Sequence, residues 1–206
     1  PAIVAGVKNI YLTTPSLDSK INPAVVYAAK KCGVKKIYKT GGAHSIAALA
    51  YGTESFEKVD KIVGPGNMFV ALAKKEVFGD VGIDMVAGPS EVTIVADIFA
   101  NPEFVAADLI AQAEHDLYAQ SILITDNSKL IKLVDLSLKK QINKLPKKKI
   151  AFSSLKKFGL AILVDNKKKI AEIINTIAPE HLELCTKFNN KIIKDVENVG
   201  SIFIGK

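Results

Sequence analysis

Val92-Thr93-Ile94-Val95-Ala96, then Asn101-Pro102-Glu103 opening a long amphipathic run, then Ser121-Ile122-Leu123-Ile124-Thr125: this succession decides the fold. The first and last stretches are short, β-branched and apolar on both alternating faces, as strands buried on two sides are. The run between them is long enough for a helix. Asn101 supplies an N-cap, Pro102 suits the first helical position, and Glu103 places a carboxylate in the first turn. Strand, helix, strand with short loops predicts a parallel β-α-β unit.

The same alternation extends in both directions. Strands are predicted at Ile10–Thr13, Lys36–Tyr38, Asp60–Val63, Ile83–Met85, Ala161–Val164, Leu182–Leu184 and Ser201–Ile204. Helices are predicted at Pro23–Lys31, Ser45–Tyr51, Met68–Val77, Pro102–His115, Ser128–Lys144, Lys167–Ile177 and Asn190–Val196. Asn22-Pro23 repeats the cap-and-proline signal, and Gly33 and Gly159 fall where helices or turns end. The expected class is α/β, with parallel sheets covered by helices on both faces. A division is expected near Ala87-Gly88-Pro89-Ser90. The final run, Ser201–Gly205, reads as a buried strand. A chain that begins at Pro1 without Met and stops just after a core strand is expected to be a piece of a longer protein.

Composition narrows the function classes. Hydrophobic residues are 49% of the 206, enough to bury a core. No apolar run is long enough to span a bilayer and no secretory leader is visible, so a cytoplasmic protein without membrane partners is expected. The net charge is +7 and every basic residue is lysine. Runs such as Lys147-Lys148-Lys149 and Lys167-Lys168-Lys169 lack interleaved aromatics and the arginines that suit bidentate contacts, so nucleic acid is not expected as a partner. Cys32 and Cys185 belong to no Cys-x-x-Cys pair and read as two buried thiols.

Four stretches can carry chemistry. Gly41-Gly42-Ala43-His44 and Gly64-Pro65-Gly66-Asn67 each follow a strand and open a helix, where backbone N–H groups can hold an anion; the alternative is a tight turn with an Asn cap. Gln112 and His115 stand three apart at a helix end, so they share a face, with Asp108 one turn earlier. They suit a metal site that needs further donors, or simply a polar helix end. Pro179-Glu180-His181-Leu182 joins a helix to a strand and can bring a carboxylate and an imidazole to one cleft; the alternative is a surface loop. The three histidines, His44, His115 and His181, all fall at element junctions.

Taken together and in order, these motifs resemble the histidinol dehydrogenase family. The matching stretches include Tyr51-Gly52-Thr53-Glu54-Ser55, Val63-Gly64-Pro65-Gly66-Asn67, Asp84-Met85-Val86-Ala87-Gly88-Pro89-Ser90-Glu91, Gln112-Ala113-Glu114-His115, Pro179-Glu180-His181-Leu182 and Gly200-Ser201-Ile202-Phe203. The resemblance implies two incomplete Rossmann-like parallel-sheet domains, one inserted into the other. Residues 7–87 would be the inserted domain and 88–206 the second half of the interrupted one. It implies oxidation of L-histidinol to L-histidine in two NAD-dependent steps by a Zn2+-containing homodimer. Glu180 and His181 would be the acid/base pair, and Gln112 and His115 two of the metal ligands. Ser90, Gln112, His115 and His181 would contact substrate, and Tyr11, His44 and Asn67 would contact NAD. His44 stands where the family usually has Gln. A first half-domain and the remaining metal donors would lie outside the chain, leaving this piece inactive alone. A zinc hydrolase of the same fold and a non-enzymatic binding module remain as rival readings.

Overall fold

The computed structural model describes residues 1–16, 18, 20–86, 88 and 90–205. Ala87 and Pro89, in the stretch expected to divide the chain, lie outside the described residues. The chain forms two compact units, Pro1–Gly88 and Pro89–Lys206.

The first unit runs β1 (Tyr11–Thr13), α1 (Pro23–Lys31), β2 (Lys36–Tyr38), α2 (Gly42–Tyr51), β3 (Lys61–Ile62), α3 (Met68–Glu76) and β4 (Gly82–Ile83). Both strand pairs, β1 with β2 and β3 with β4, are parallel. Helix α1 begins as its sequence dictates: the Asn22 side chain accepts the Ala24 N–H at 2.9 Å, and Pro23 follows. Ile46, Leu49 and Ala50 of α2 pack with Ile62, Val77 and Val81 in a small core.

Strands β3 and β4 are shorter than predicted because of a polar clamp at their ends. Lys74 of α3 is only 3% exposed. Its ammonium donates to the Gly64 carbonyl at 2.9 Å and pairs with the Asp84 carboxylate. Asp84 in turn accepts the Gly64 N–H at 2.8 Å. The backbone therefore turns away after Ile62, with Gly64 at φ +125°. Burial works to raise the Asp84 carboxyl. The Gly64 N–H and the Lys74 ammonium outweigh it and hold that carboxyl well below the usual carboxylate range.

The second unit runs β5 (Glu91–Ala96), α4 (Pro102–Ala113), β6 (Gln120–Thr125), α5 (Ser128–Ile142), α6 (Lys148–Phe158), β7 (Gly159–Leu163), α7 (Lys169–Ile177), β8 (His181–Cys185), α8 (Asn189–Ile193) and β9 (Ser201–Ile204). Its five strands are all parallel, in the order β7-β6-β5-β8-β9. The chain winds outward from β5 to one side, then returns to add β8 and β9 on the other, the doubly wound arrangement. Val92, Ile94 and Ala96 of β5 pack with Val105 and Leu109 of α4 and Leu130 and Val134 of α5. On the opposite face Val95, Ile122, Ile124, Leu182 and Leu184 pack with Ile170 and Ile174 of α7 and Ile192 of α8.

Four expectations need correction. Helix α6 was not predicted. Its N-cap, Lys147, makes no side-chain cap bond, and the Lys147-Lys148-Lys149 run reads as solvated chain. What holds it is tertiary: Ala151 and Ser154 are buried, and the Ser154 hydroxyl donates to the Ala119 carbonyl at 2.8 Å. Strand β9, expected to be buried, is exposed along its length, because it is an edge strand whose described neighbour is β8 alone. Helix α4 stops at Ala113 rather than His115, as Glu114 becomes its C-cap. Cys32 is exposed and Cys185 half-buried, because Cys32 lies beyond the last turn of α1 as its C-cap.

The clamp in the first unit gives a test. Lys74→Ala leaves Asp84 without its cation and is expected to destabilise that unit by about 3 kcal/mol, read by urea unfolding. Because the Asp84 carboxyl is depressed in the folded state, its stabilisation holds above its unfolded value and declines as pH falls. The variant is expected to lose that part of the acid dependence.

Candidate functional site

In a parallel α/β unit each helix returns from the carboxyl edge of the sheet to its amino edge. The C-terminal end of α4 therefore arrives beside the starts of β5, β6 and β8. Gln112 stands in the last turn of α4 and His115 just beyond it. Ser90 and Glu91 open β5, and Glu180 and His181 open β8. The topology thus gathers five of the expected site residues at the amino edge of one sheet. The carboxyl edge, where β5 and β8 end at Ala96 and Cys185, is closed instead by Asp97. Its carboxylate accepts the Phe99 N–H at 2.9 Å and the Lys187 N–H at 2.8 Å.

His181 pairs with Val92 across β5 and β8. That register sets its Nδ1 3.3 Å from the Glu91 carbonyl oxygen and 3.8 Å from Glu180 Oε2. A carbonyl can only accept, so in the neutral ring the Nδ1 facing it carries the proton and Nε2 is the acceptor. The Glu91 N–H points at Glu180 Oε2 at 3.4 Å. The imidazole ring lies 5.9 Å from the Phe203 ring of β9, tilted 33°. The His181 side chain is 36% exposed and that of Glu180 53%, so the pair is open to a ligand. Burial first, and the charge of Glu180 second, push the Glu91 carboxyl up. An imidazole with a free Nε2 beside two carboxyl groups can take and return a proton.

Two backbone devices aim this pair. Ala178, the residue before Pro179, caps α7 in the left-handed region at φ 50°. The Ser201 N–H of β9 donates to the Glu180 carbonyl at 2.9 Å. A Cβ on Gly200 would stand 2.6 Å from that same carbonyl oxygen, so only glycine permits the close approach.

Gln112 and His115 differ in setting. Gln112 is 9% exposed and its Nε2 has no hydrogen-bond partner, whereas His115 is exposed. The His115 N–H donates to the Gln112 carbonyl at 3.2 Å, which keeps the two adjacent although His115 has left the helix. A buried amide with an unpartnered nitrogen costs about 1–3 kcal/mol unless a ligand orients it. Its oxygen and the His115 imidazole are two donors for a metal, fewer than the three or four a site requires. Among the described residues no cluster of three or more His, Cys, Asp or Glu forms a metal site.

In the first unit, two of the three residues expected to meet NAD have local partners. The Tyr11 hydroxyl donates to Glu57, which also pairs with Lys36, and Glu57 raises the Tyr11 hydroxyl. His44 is exposed in the first turn of α2. The Asn67 side chain accepts the Val70 N–H at 3.2 Å and so caps α3. The Gly64 N–H is taken by Asp84, so this turn does not offer that donor to an anion.

Glu91 and Phe203 escaped the sequence reading. Glu91 acts through its backbone, which no motif reveals, and Phe203 arrives from a strand twenty-two positions on. Both lie in family-matching stretches, Ser90-Glu91 and Gly200-Ser201-Ile202-Phe203, but neither was singled out there as a site residue.

Fold and site together define an α/β protein whose doubly wound sheet presents an acid–imidazole pair suited to proton transfer. The histidinol dehydrogenase family model matches residues 1–206, and the chain belongs to that family. It is 56% identical to the histidinol dehydrogenase of Pelagibacter ubique over 100% of its length and 48% of that protein. It is 53% identical to that of Clostridium acetobutylicum, with the same coverage. The crystal structure of histidinol dehydrogenase from Elizabethkingia anophelis matches with TM-score 0.92 at 44% identity, over all of this chain and 48% of that one. A glyceraldehyde-3-phosphate dehydrogenase from Methanocaldococcus jannaschii, 16% identical with TM-score 0.52 over 87% of the chain, shares the fold alone. The chain spans about half the length of the curated relatives it matches. Among the described residues no helix is long and apolar enough to cross a membrane.

Gly200→Ala is expected to destabilise the second unit by about 1–3 kcal/mol, read by urea unfolding. A neutral result would mean that β9 does not brace Glu180. Ala178→Gly is expected to stabilise by about 1 kcal/mol by removing left-handed strain, and a loss of stability would show that the methyl packs usefully.

Proposed function

We propose that the full-length gene product oxidises L-histidinol to L-histidine in two successive NAD-dependent steps, the last stage of histidine biosynthesis. The carrying observation is the His181–Glu91–Glu180 cluster in a chain that matches the family over its whole length.

His181 is the base. With Nδ1 held by the Glu91 carbonyl, Nε2 accepts the proton of the substrate hydroxyl. Glu180, 3.8 Å from the ring, stabilises the imidazolium that results. At the aldehyde stage Glu180 takes a proton from water so that it adds to the carbonyl carbon. His181 then accepts the hydroxyl proton of the hydrate. Gln112 and His115 would contribute two donors to Zn2+, and Ser90, Gln112, His115 and His181 would line the substrate. Tyr11, His44 and Asn67 would contact the dinucleotide. When bound, NAD accepts hydride and the metal orients the amino alcohol. On this reading residues 7–87 form an inserted domain and 88–206 the second part of an interrupted one. The protein is a cytoplasmic homodimer that takes a small-molecule substrate and neither nucleic acid nor membrane as partner.

The test is NADH absorbance on adding L-histidinol and NAD to the full-length gene product, with and without a chelator. Two NADH per histidinol, abolished by the chelator, are expected. His181→Asn is expected to lower kcat by about 10²–10⁴-fold. Glu180→Gln is expected to slow aldehyde oxidation more than alcohol oxidation. Absence of NADH from a folded, metal-loaded protein, or equal loss in both steps for the Gln variant, would contradict the assignment.

A further inference from the structure

The helix and the strand that carry the two halves of the candidate site also carry a pair of carboxyl groups that the proposed chemistry does not use. Alternation along β8 puts Glu183 on the same face as His181, with Cys185 following. On α4, Asp108 lies one turn before Gln112, on the same helix face. Asp108 and Glu183 line one cavity between the two elements, each within electrostatic reach of the other's carboxyl. Two ionised carboxylates can only accept, so the pair can bond across this cavity only while one of them keeps its proton. The register seats Glu183 between Ile94 of β5 and Phe203 of β9, both apolar. Both carboxyls line a cavity of about 340 Å3 with Phe104, Cys185 and Phe203.

We propose that Asp108 and Glu183 are positioning residues for the oxidation: sharing one proton, they clamp α4 to β8 and set the spacing between Gln112 and His115 on one element and Glu180 and His181 on the other. This rests on the functional reading above.

The electrostatics agree with the geometry. Burial, then the charge of Asp108, then the hydrogen bond to it, push the Glu183 carboxyl up to about 7. Burial raises Asp108 as well, although its bond to Glu183 works the other way. Glu183 is therefore the proton holder and Asp108 the acceptor. The titratable groups facing Glu183 are Asp108 from α4 and, on its own strand, Cys185 and His181; β5 and β9 present Ile94 and Phe203. Burial first, then the charges of Glu183, Asp108 and Asp97, push the Cys185 thiol up to about 11, so it stays neutral. A raised folded-state value means that the clamp is whole at low pH. It weakens as pH rises from the ordinary glutamate range through neutrality, where two like charges would face each other.

The test uses the full-length gene product, with carbon-13 carboxyl NMR to follow Glu183 and kcat/KM for histidinol oxidation measured from mildly acidic to mildly alkaline pH. Glu183 is expected to keep its proton to near neutrality. Glu183→Ala is expected to lower kcat/KM by about tenfold. Glu183→Gln, whose amide donates to Asp108 at every pH, is expected to rescue that loss and to gain on the wild type as pH rises. Glu183 titrating in the ordinary carboxylate range, or Gln losing as much as Ala, would overturn the clamp while NADH formation left the dehydrogenase reading standing. A wild type that forms no NADH while Glu183 titrates high would defeat the dehydrogenase reading, and the positioning role with it.

Discussion

The register between β5 and β8 is the constraint on which the site depends. Leu182 and Leu184 must face the α7 and α8 side, where they are fully buried. Each such side chain is worth about 1.5–3 kcal/mol on burial, and a slip of one residue would expose both and bury Glu183 in their place. Hydrophobic burial on one face therefore dictates what the other face presents. His181 falls opposite Val92, one residue from the Glu91 carbonyl, because Leu182 has to fall opposite Thr93. The site geometry is a by-product of core packing.

The candidate site lies at the amino edge of the second unit, the reverse of the usual doubly wound arrangement, in which ligands sit at the carboxyl edge where strand order reverses. The physical reason is local. At the carboxyl edge Asp97, buried and bonded to both following loops, ties them shut. At the amino edge the incoming segments are a helix end with a buried, unpartnered amide, a left-handed Ala178 and a glycine-braced strand start, beside the exposed His115 and Glu180. The edge strand β9 completes this end by placing Phe203 near the imidazole.

Much of the fold was legible because its signals are local. Asn22-Pro23 and Asn101-Pro102 each announce a helix that forms where expected, and the β-branched runs 92–96 and 121–125 lie within strands. Helix α6 was hidden because nothing local starts it; Ser154 finds its partner thirty-five positions away. The Gly64 turn read as either an anion cradle or a tight turn with an Asn cap, because sequence cannot show that Asp84 takes its N–H. Glu180 and His181 were legible as neighbours, and family resemblance supplied the roles proposed for them. The tautomer on which the proposed role of His181 rests was not legible, since it depends on a backbone carbonyl ninety positions distant.

The most direct measurement is the nitrogen-15 imidazole NMR spectrum of His181 in the full-length gene product. The neutral ring is expected to carry its proton on Nδ1, toward the Glu91 carbonyl, with Nε2 unprotonated. A ring protonated on Nε2 would leave no base aimed at the substrate and would contradict the account of the site.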